Sequence, residues 1–157
     1  MAYERNQFRS TIKYILGMVQ AEGFNVKTPA AVELIMGTAA AESAMGTYLY
    51  QFNNGPAMGP FQMERKTHIW LWDYLQRRPR IATYIQKVCP YPNDYKLRFD
   101  LGYQIVMTRL KYWTIPESLP DPKDIEAMAR YWKKYYNTSE GKGTIGSFVN
   151  CYEIYCA

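Results

Sequence analysis

The chain of 157 residues has one histidine, His68, and only three cysteines, Cys89, Cys151 and Cys156. A single imidazole and thiols in no ligand-like spacing give no reason to expect a metal site. No redox cysteine pair, phosphate-binding loop or nucleophile elbow is present, so no cofactor is expected either. No apolar run approaches the ~20 residues of a membrane span. The start, Met1 to Asn6, leads into an amphipathic pattern rather than an unbroken apolar stretch, so no signal peptide is expected. An odd number of thiols reads most simply as free cysteines kept in a reducing cytoplasm. One pair bridging after export is the alternative. A chain this long buries a core without disulfides, as one domain over residues 1–157.

Acidic residues are outnumbered, and the net charge is +5. Such a chain is drawn to polyanions. Nucleic acid is one class. Bacterial cell wall, with its peptide carboxylates and phosphate polymers, is another. Aromatic residues make up 16% of the chain, 15 of them Tyr, and flat rings stack on the apolar faces of pyranoses. Arg77-Arg78-Pro79-Arg80 is the only tight basic cluster. No nucleic-acid-binding motif accompanies it, so nucleic acid is not the expected partner.

Hydrophobic periodicity predicts a mainly α fold of six or seven helices with a very small loop or hairpin lobe. From about Glu4 to Ala21, residues Phe8, Ile12, Ile15, Leu16 and Val19 share one helical face. Thr28-Pro29 caps and opens a second helix, with Val32, Ile35, Met36 and Ala39 buried and Gly46 at its end. From Thr47 to Gly59 the pattern breaks. Tyr48 to Phe52 reads as a short extended piece and Asn53-Asn54-Gly55-Pro56 as a turn. Helices are expected again from Thr67 to Gln76, from Ile81 to Val88 and from Asp94 past Leu110. Two more follow, from Asp121-Pro122 to Tyr136 and around Phe148, Val149 and Tyr152.

Glu42 falls three residues after Ala39 and so beside the buried stripe, in the last turn of the second helix. Desolvation and the carbonyl end of the helix both disfavour its anion. A carboxyl that keeps its proton near neutral pH is what a general acid for glycosidic cleavage needs. The plain alternative is a surface Glu near a helix end.

Three segments occur in order: Glu42-Ser43-Ala44-Met45-Gly46, then Gly59-Pro60-Phe61-Gln62-Met63, then Tyr136-Asn137 after Ala127-Met128-Ala129-Arg130. Together they resemble the signature of the lytic transglycosylase and goose-type lysozyme families, over about residues 32–137. In those families a Glu-Ser pair ends a helix, a Gly-Leu-Met-Gln-like segment follows, and an Ala-Tyr-Asn-Ala-Gly segment comes late. Here Pro60-Phe61 replaces Leu-Met, and the final Ala-Gly is absent. Thr67 matches a Thr that often follows the middle segment. The chain looks like a bacteriophage member of the group.

The resemblance implies a lysozyme-like α+β fold and cleavage of peptidoglycan glycan strands. It implies roles residue by residue. Glu42 matches the catalytic acid, and Ser43 the residue that helps orient it. Met58, Gly59 and Phe61 match the wall of the sugar cleft. Gln62 matches a polar residue that hydrogen-bonds glycan. Tyr136, with Asn137 beside it, matches the tyrosine whose hydroxyl approaches the acid. His68 stands where some goose-type enzymes carry a His, as a subsite contact. Glu64 lies where goose-type lysozymes carry an Asp, and is the candidate base for a hydrolase. Its alternative is a carboxylate at the start of a helix. Transglycosylases lack that base and use the glycan's own 6-hydroxyl, which leaves an anhydro end.

The expected partner is therefore bacterial peptidoglycan. The chain would be made in the host cytoplasm and reach the wall as a released lysin or within a virion. A virion component that binds wall or neighbouring virion proteins without cleaving is the second reading.

Overall fold

The computed structural model describes residues 2–157, so of the expected domain Met1 alone lies outside it. The described residues form eight α-helices: α1 (Arg5–Val19), α2 (Pro29–Ser43), α3 (Arg65–Gln76), α4 (Pro79–Ile85), α5 (Lys96–Phe99), α6 (Leu101–Trp113), α7 (Ile125–Trp132) and α8 (Ile145–Tyr155). One two-stranded antiparallel sheet joins them, β1 (Ala57–Met58) and β2 (Met63–Glu64). The fold is mainly α with a small sheet lobe, and no described helix is long and apolar enough to cross a membrane.

Caps set the helix limits. Glu4 accepts hydrogen bonds from the Asn6 and Gln7 amides and starts α1. Thr28 accepts from the Ala31 amide, with Pro29 at the first helical position, as the sequence predicts. The helix expected to run on from Asp94 is instead divided at Asp100, whose side chain caps α6 through the Tyr103 amide. Likewise α7 begins at Ile125 rather than Asp121, because Asp124 takes the Ala127 amide. The break at Asp100 accounts for the eighth helix beyond the six or seven expected, while Asp124 only shortens α7.

Two clusters fill the interior. One gathers α1, α2, α7 and α8 around Ile12, Leu34, Met36, Trp132 and Phe148. The other gathers α3, α4 and α6 around Phe24, Leu71, Ile85, Tyr103 and Met107. α2 is the central helix, packed against α1, α6, α7 and α8. Its small residues permit this. A Cβ on Gly37 would stand 2.3 Å from the Phe148 ring, so α2 and α8 approach as closely as they do only because Gly is there.

The segment between α2 and α3 makes three short passes. Tyr50 bridges Met58, closing over the Asn53-Asn54-Gly55 turn, where both Asn residues are left-handed. β1 and β2 then pair across the Gly59–Gln62 turn. The extended piece expected at 48–52 contributes only the Tyr50 bridge, and the strands lie later. Gly59 is required here. Its φ is +76° and a Cβ would lie 2.0 Å from the Leu97 carbonyl oxygen.

The candidate active site at the end of α2

Glu42 is the penultimate residue of α2. The chain leaves the helix through three left-handed residues, Ala44, Met45 and Gly46. Ser43 seats this exit. Its buried hydroxyl donates to the Ala39 carbonyl at 3.0 Å and accepts from the Gly46 amide at 2.8 Å. These bonds commit it to the backbone, so it orients Glu42 only by fixing where the helix stops.

The carboxyl of Glu42 is held from the other side of the molecule. Trp132 Nε1 donates to Glu42 Oε1 at 3.1 Å, and Asn137 donates to the same carboxyl. In a regular α-helix of 3.6 residues per turn, side chains five apart point about 140° away from each other. After Trp132 the backbone widens into a π-helical turn, Lys133–Asn137, in which the Thr138 amide donates to the Lys133 carbonyl at 2.8 Å. That i to i+5 register brings residues 132 and 137 over one another, so that both reach one carboxylate. Lys133 Nζ donates to Asn137 Oδ1 at 2.7 Å, which leaves the amide nitrogen for Glu42.

Tyr136 lies in the same turn. Its hydroxyl donates to the Phe61 carbonyl at 2.6 Å and ties the π turn to the β1–β2 hairpin. The anion of Glu42 acts on this phenol, raising its pKa further above the effect of burial. Lys111 of α6 completes the group. Its ammonium donates to the Tyr136 carbonyl at 3.3 Å and sits 4.2 Å from the Tyr136 ring centroid.

Burial dominates the electrostatics. Desolvation pushes the Glu42 carboxyl from 4.5 up to about 7, against the hydrogen bonds from Trp132 and Asn137 and the charges of Lys111 and Lys133. Desolvation also brings Lys111 down to about 8, against the pull of Glu42 and Glu64. Near neutral pH Glu42 therefore holds its proton for much of the time. The groups hydrogen-bonded to it are both donors, so neither competes for that proton.

The remaining sequence-predicted residues divide. Met58 is half-buried in β1. Phe61 is buried and stacks with Phe8 at 6.2 Å, so it meets the site through its carbonyl rather than its ring. Gly59 donates its amide to the Leu49 carbonyl at 2.8 Å and shapes the hairpin. Gln62 is left-handed, and its Nε2 donates to the Gly59 carbonyl at 2.9 Å, bracing the turn. Glu64 stands one residue before α3 without capping it, and its carboxylate pairs with Lys66 Nζ at 3.3 Å. His68 is not at the surface. It is buried, its Nε2 meets the Tyr103 hydroxyl, and Trp72 Nε1 donates to it at 3.1 Å. The imidazole faces inward on α3, which removes it from any subsite. All three cysteines are free thiols.

Trp132, Lys111 and Lys133 were not legible as site residues. An apolar run reads as core, and the α-helical period places Trp132 and Asn137 on different faces. Among the described residues no group of three or more His, Cys, Asp or Glu is placed to hold a metal ion. No family model, no curated protein and no solved structure matches the chain.

Proposed function

We propose that this chain cleaves the glycan strands of bacterial peptidoglycan with Glu42 as the general acid. One observation carries the reading: a single carboxyl at the carbonyl end of a buried helix, raised to about 7 and gripped by Trp132 at the end of α7 and Asn137 of the π turn that follows. General acid catalysis is most effective when the pKa lies near the working pH. π turns inside helices recur at functional sites.

Glu64 bears on the mechanism. A base that activates water has to be held across the cleft, ~6.5–9.5 Å from the acid. Glu64 is instead paired with Lys66 at the edge of the hairpin. This supports the lytic transglycosylase route over hydrolysis. Glu42 gives its proton to the glycosidic oxygen as the C–O bond breaks and an oxocarbenium-like sugar forms. The sugar's own 6-hydroxyl then closes on the anomeric carbon and returns its proton to the Glu42 carboxylate. One group serves as acid and then base, which suits a pKa near neutrality.

The test is mass spectrometry of fragments released from purified peptidoglycan. Anhydro ends, absent with Glu42→Gln, are the expected result. Reducing ends would assign hydrolysis and return Glu64 to the role of base. Intact glycan with the wild-type chain would leave a wall-binding virion component as the reading.

A further inference from the structure

Arg77, Arg78 and Arg80 are not used by the Glu42 site, and among the described residues none of the three forms an ion pair. Arg77 and Arg78 border an open pocket of about 580 Å³, lined also by Trp70, Tyr74 and Thr114. None of these residues belongs to the Glu42 group. A second, smaller pocket shares Arg78 and continues past Arg80 to Tyr84. Neither lining includes a carboxylate.

We infer that this aromatic and basic shelf on α3 is a second binding site, which anchors an uncleaved peptidoglycan strand by a sugar ring and a stem-peptide carboxylate. The inference rests on the proposed glycan substrate. Trp70 is 48% exposed, an unusual placement for so large an apolar ring. It stands one helical turn from Tyr74, with ring centres 6.0 Å apart and planes 31° from parallel. Trp70 offers the exposed ring that can receive the apolar face of a pyranose, with Tyr74 at its edge. The Arg78 guanidinium lies 3.8 Å from the Tyr74 ring centroid and donates one N–H to the Tyr74 carbonyl at 3.5 Å, which holds it beside the ring with further N–H groups to offer. Arg77 stands beside it. Two guanidinium groups beside an exposed ring match a sugar whose attached peptide carries carboxylates, because the planar fork pairs with a carboxylate through two hydrogen bonds. A nucleic acid would instead be tracked by a long basic groove with several stacking rings. Here the arginine cluster ends after three residues.

Binding and cleavage are separable in the experiment. The chain carrying Glu42→Gln is sedimented with peptidoglycan sacs stripped of other anionic polymers, over a range of salt. We expect it to pellet with the sacs. Adding Trp70→Ala should weaken binding by roughly tenfold, the scale of one anchoring aromatic. Trp70→Tyr, which keeps a ring, should retain binding to within about threefold. Arg77→Gln with Arg78→Gln should weaken binding and flatten its salt dependence. Unchanged binding in the combined Trp70, Arg77 and Arg78 variant overturns the site. So does displacement of the sacs by single-stranded DNA that these substitutions abolish. If the sacs are bound through the shelf but the wild-type chain releases no fragments, the catalytic reading fails and the binding site stands.

Discussion

Glu42 lies in the last turn of α2, and Glu64 stands immediately before the first turn of α3. The helix end beside Glu42 presents carbonyls, whereas the one beside Glu64 presents amide N–H groups. Glu42 is enclosed by Trp132, Asn137, Tyr136 and Lys111, and its carboxyl is raised to about 7. Glu64 is half-exposed and paired with the exposed Lys66. Two carboxylates twenty-two residues apart thus meet opposite treatment. Water is withdrawn from one and left to the other, and that desolvation outweighs the charges of Lys111 and Lys133 beside Glu42.

The largest test of this contrast is Glu42→Gln. The amide keeps the size of the side chain but has no proton to donate, so turnover of peptidoglycan should fall at least about a hundredfold. The same variant should change the pH dependence of folding. Between about pH 4.5 and 7 the unfolded chain releases the Glu42 proton and the folded chain retains it, so wild-type stability falls as pH rises through that window. The full loss is of order 3 kcal/mol, and Glu42→Gln should remove it. Chemical denaturation of both proteins at pH 5 and pH 8 measures this. An equal slope for the two would mean that Glu42 is not desolvated.

Next comes Trp132→Phe. It deletes the indole donor and leaves a small cavity beside Phe148, costing roughly 1–3 kcal/mol of stability. Loss of the N–H removes support from the Glu42 anion, so the alkaline limb of the rate profile should move above its wild-type position near pH 7. Loss of positioning should also lower the plateau about tenfold. A lower plateau with an unmoved limb would make Trp132 structural only.

Lys111→Met should act in the same direction and more weakly. Its ammonium is itself brought down to about 8, so it carries a full charge through most of the working range. Removing it should raise the alkaline limb while changing the plateau by only a fewfold, roughly. Glu64→Gln is the smallest. An exposed ion pair contributes about 0–1 kcal/mol, so stability should hold. Activity should stay within about twofold if no base is needed. A loss on the scale of Glu42→Gln, with reducing-end products, would overturn the contrast between the two carboxylates.

Much of the scaffold around these groups was readable along the chain. The α1 stripe of Phe8, Ile12, Leu16 and Val19 is buried as its period predicts, with Ile15 half-buried. The Thr28-Pro29 start of α2 and the position of Glu42 in its last turn stand where expected. The ordered segments also converge in part, since Phe61, Tyr136 and Asn137 all meet near Glu42. Most of the departures come from polar side chains that bond nearby backbone, and one comes from the face a residue takes on its helix. Asp100 and Asp124 cut helices short because a carboxylate takes the first free amides, a competition that apolar periodicity does not register. Gln62 and Ser43 have the right chemistry for contact with substrate or acid, but spend it on nearby backbone. His68 was placed toward a cleft, and its turn on α3 carries it to Tyr103 and Trp72 instead.

By itself the sequence determined the helical periods, the Thr28-Pro29 start of α2 and the end of that helix at which Glu42 sits. These are local properties, fixed by side chains within a few residues of one another. Only the tertiary structure decided what surrounds the carboxyl. Trp132 lies ninety residues beyond Glu42, and it shares the carboxyl with Asn137 because a π turn replaces the α register after α7. That turn is fastened by Tyr136 to the Phe61 carbonyl, seventy-five residues back along the chain. The desolvation that raises Glu42 comes from its burial beside Trp132, the π turn and α6. No local pattern encodes it, because the free energy of a buried charge depends on everything that has displaced its water.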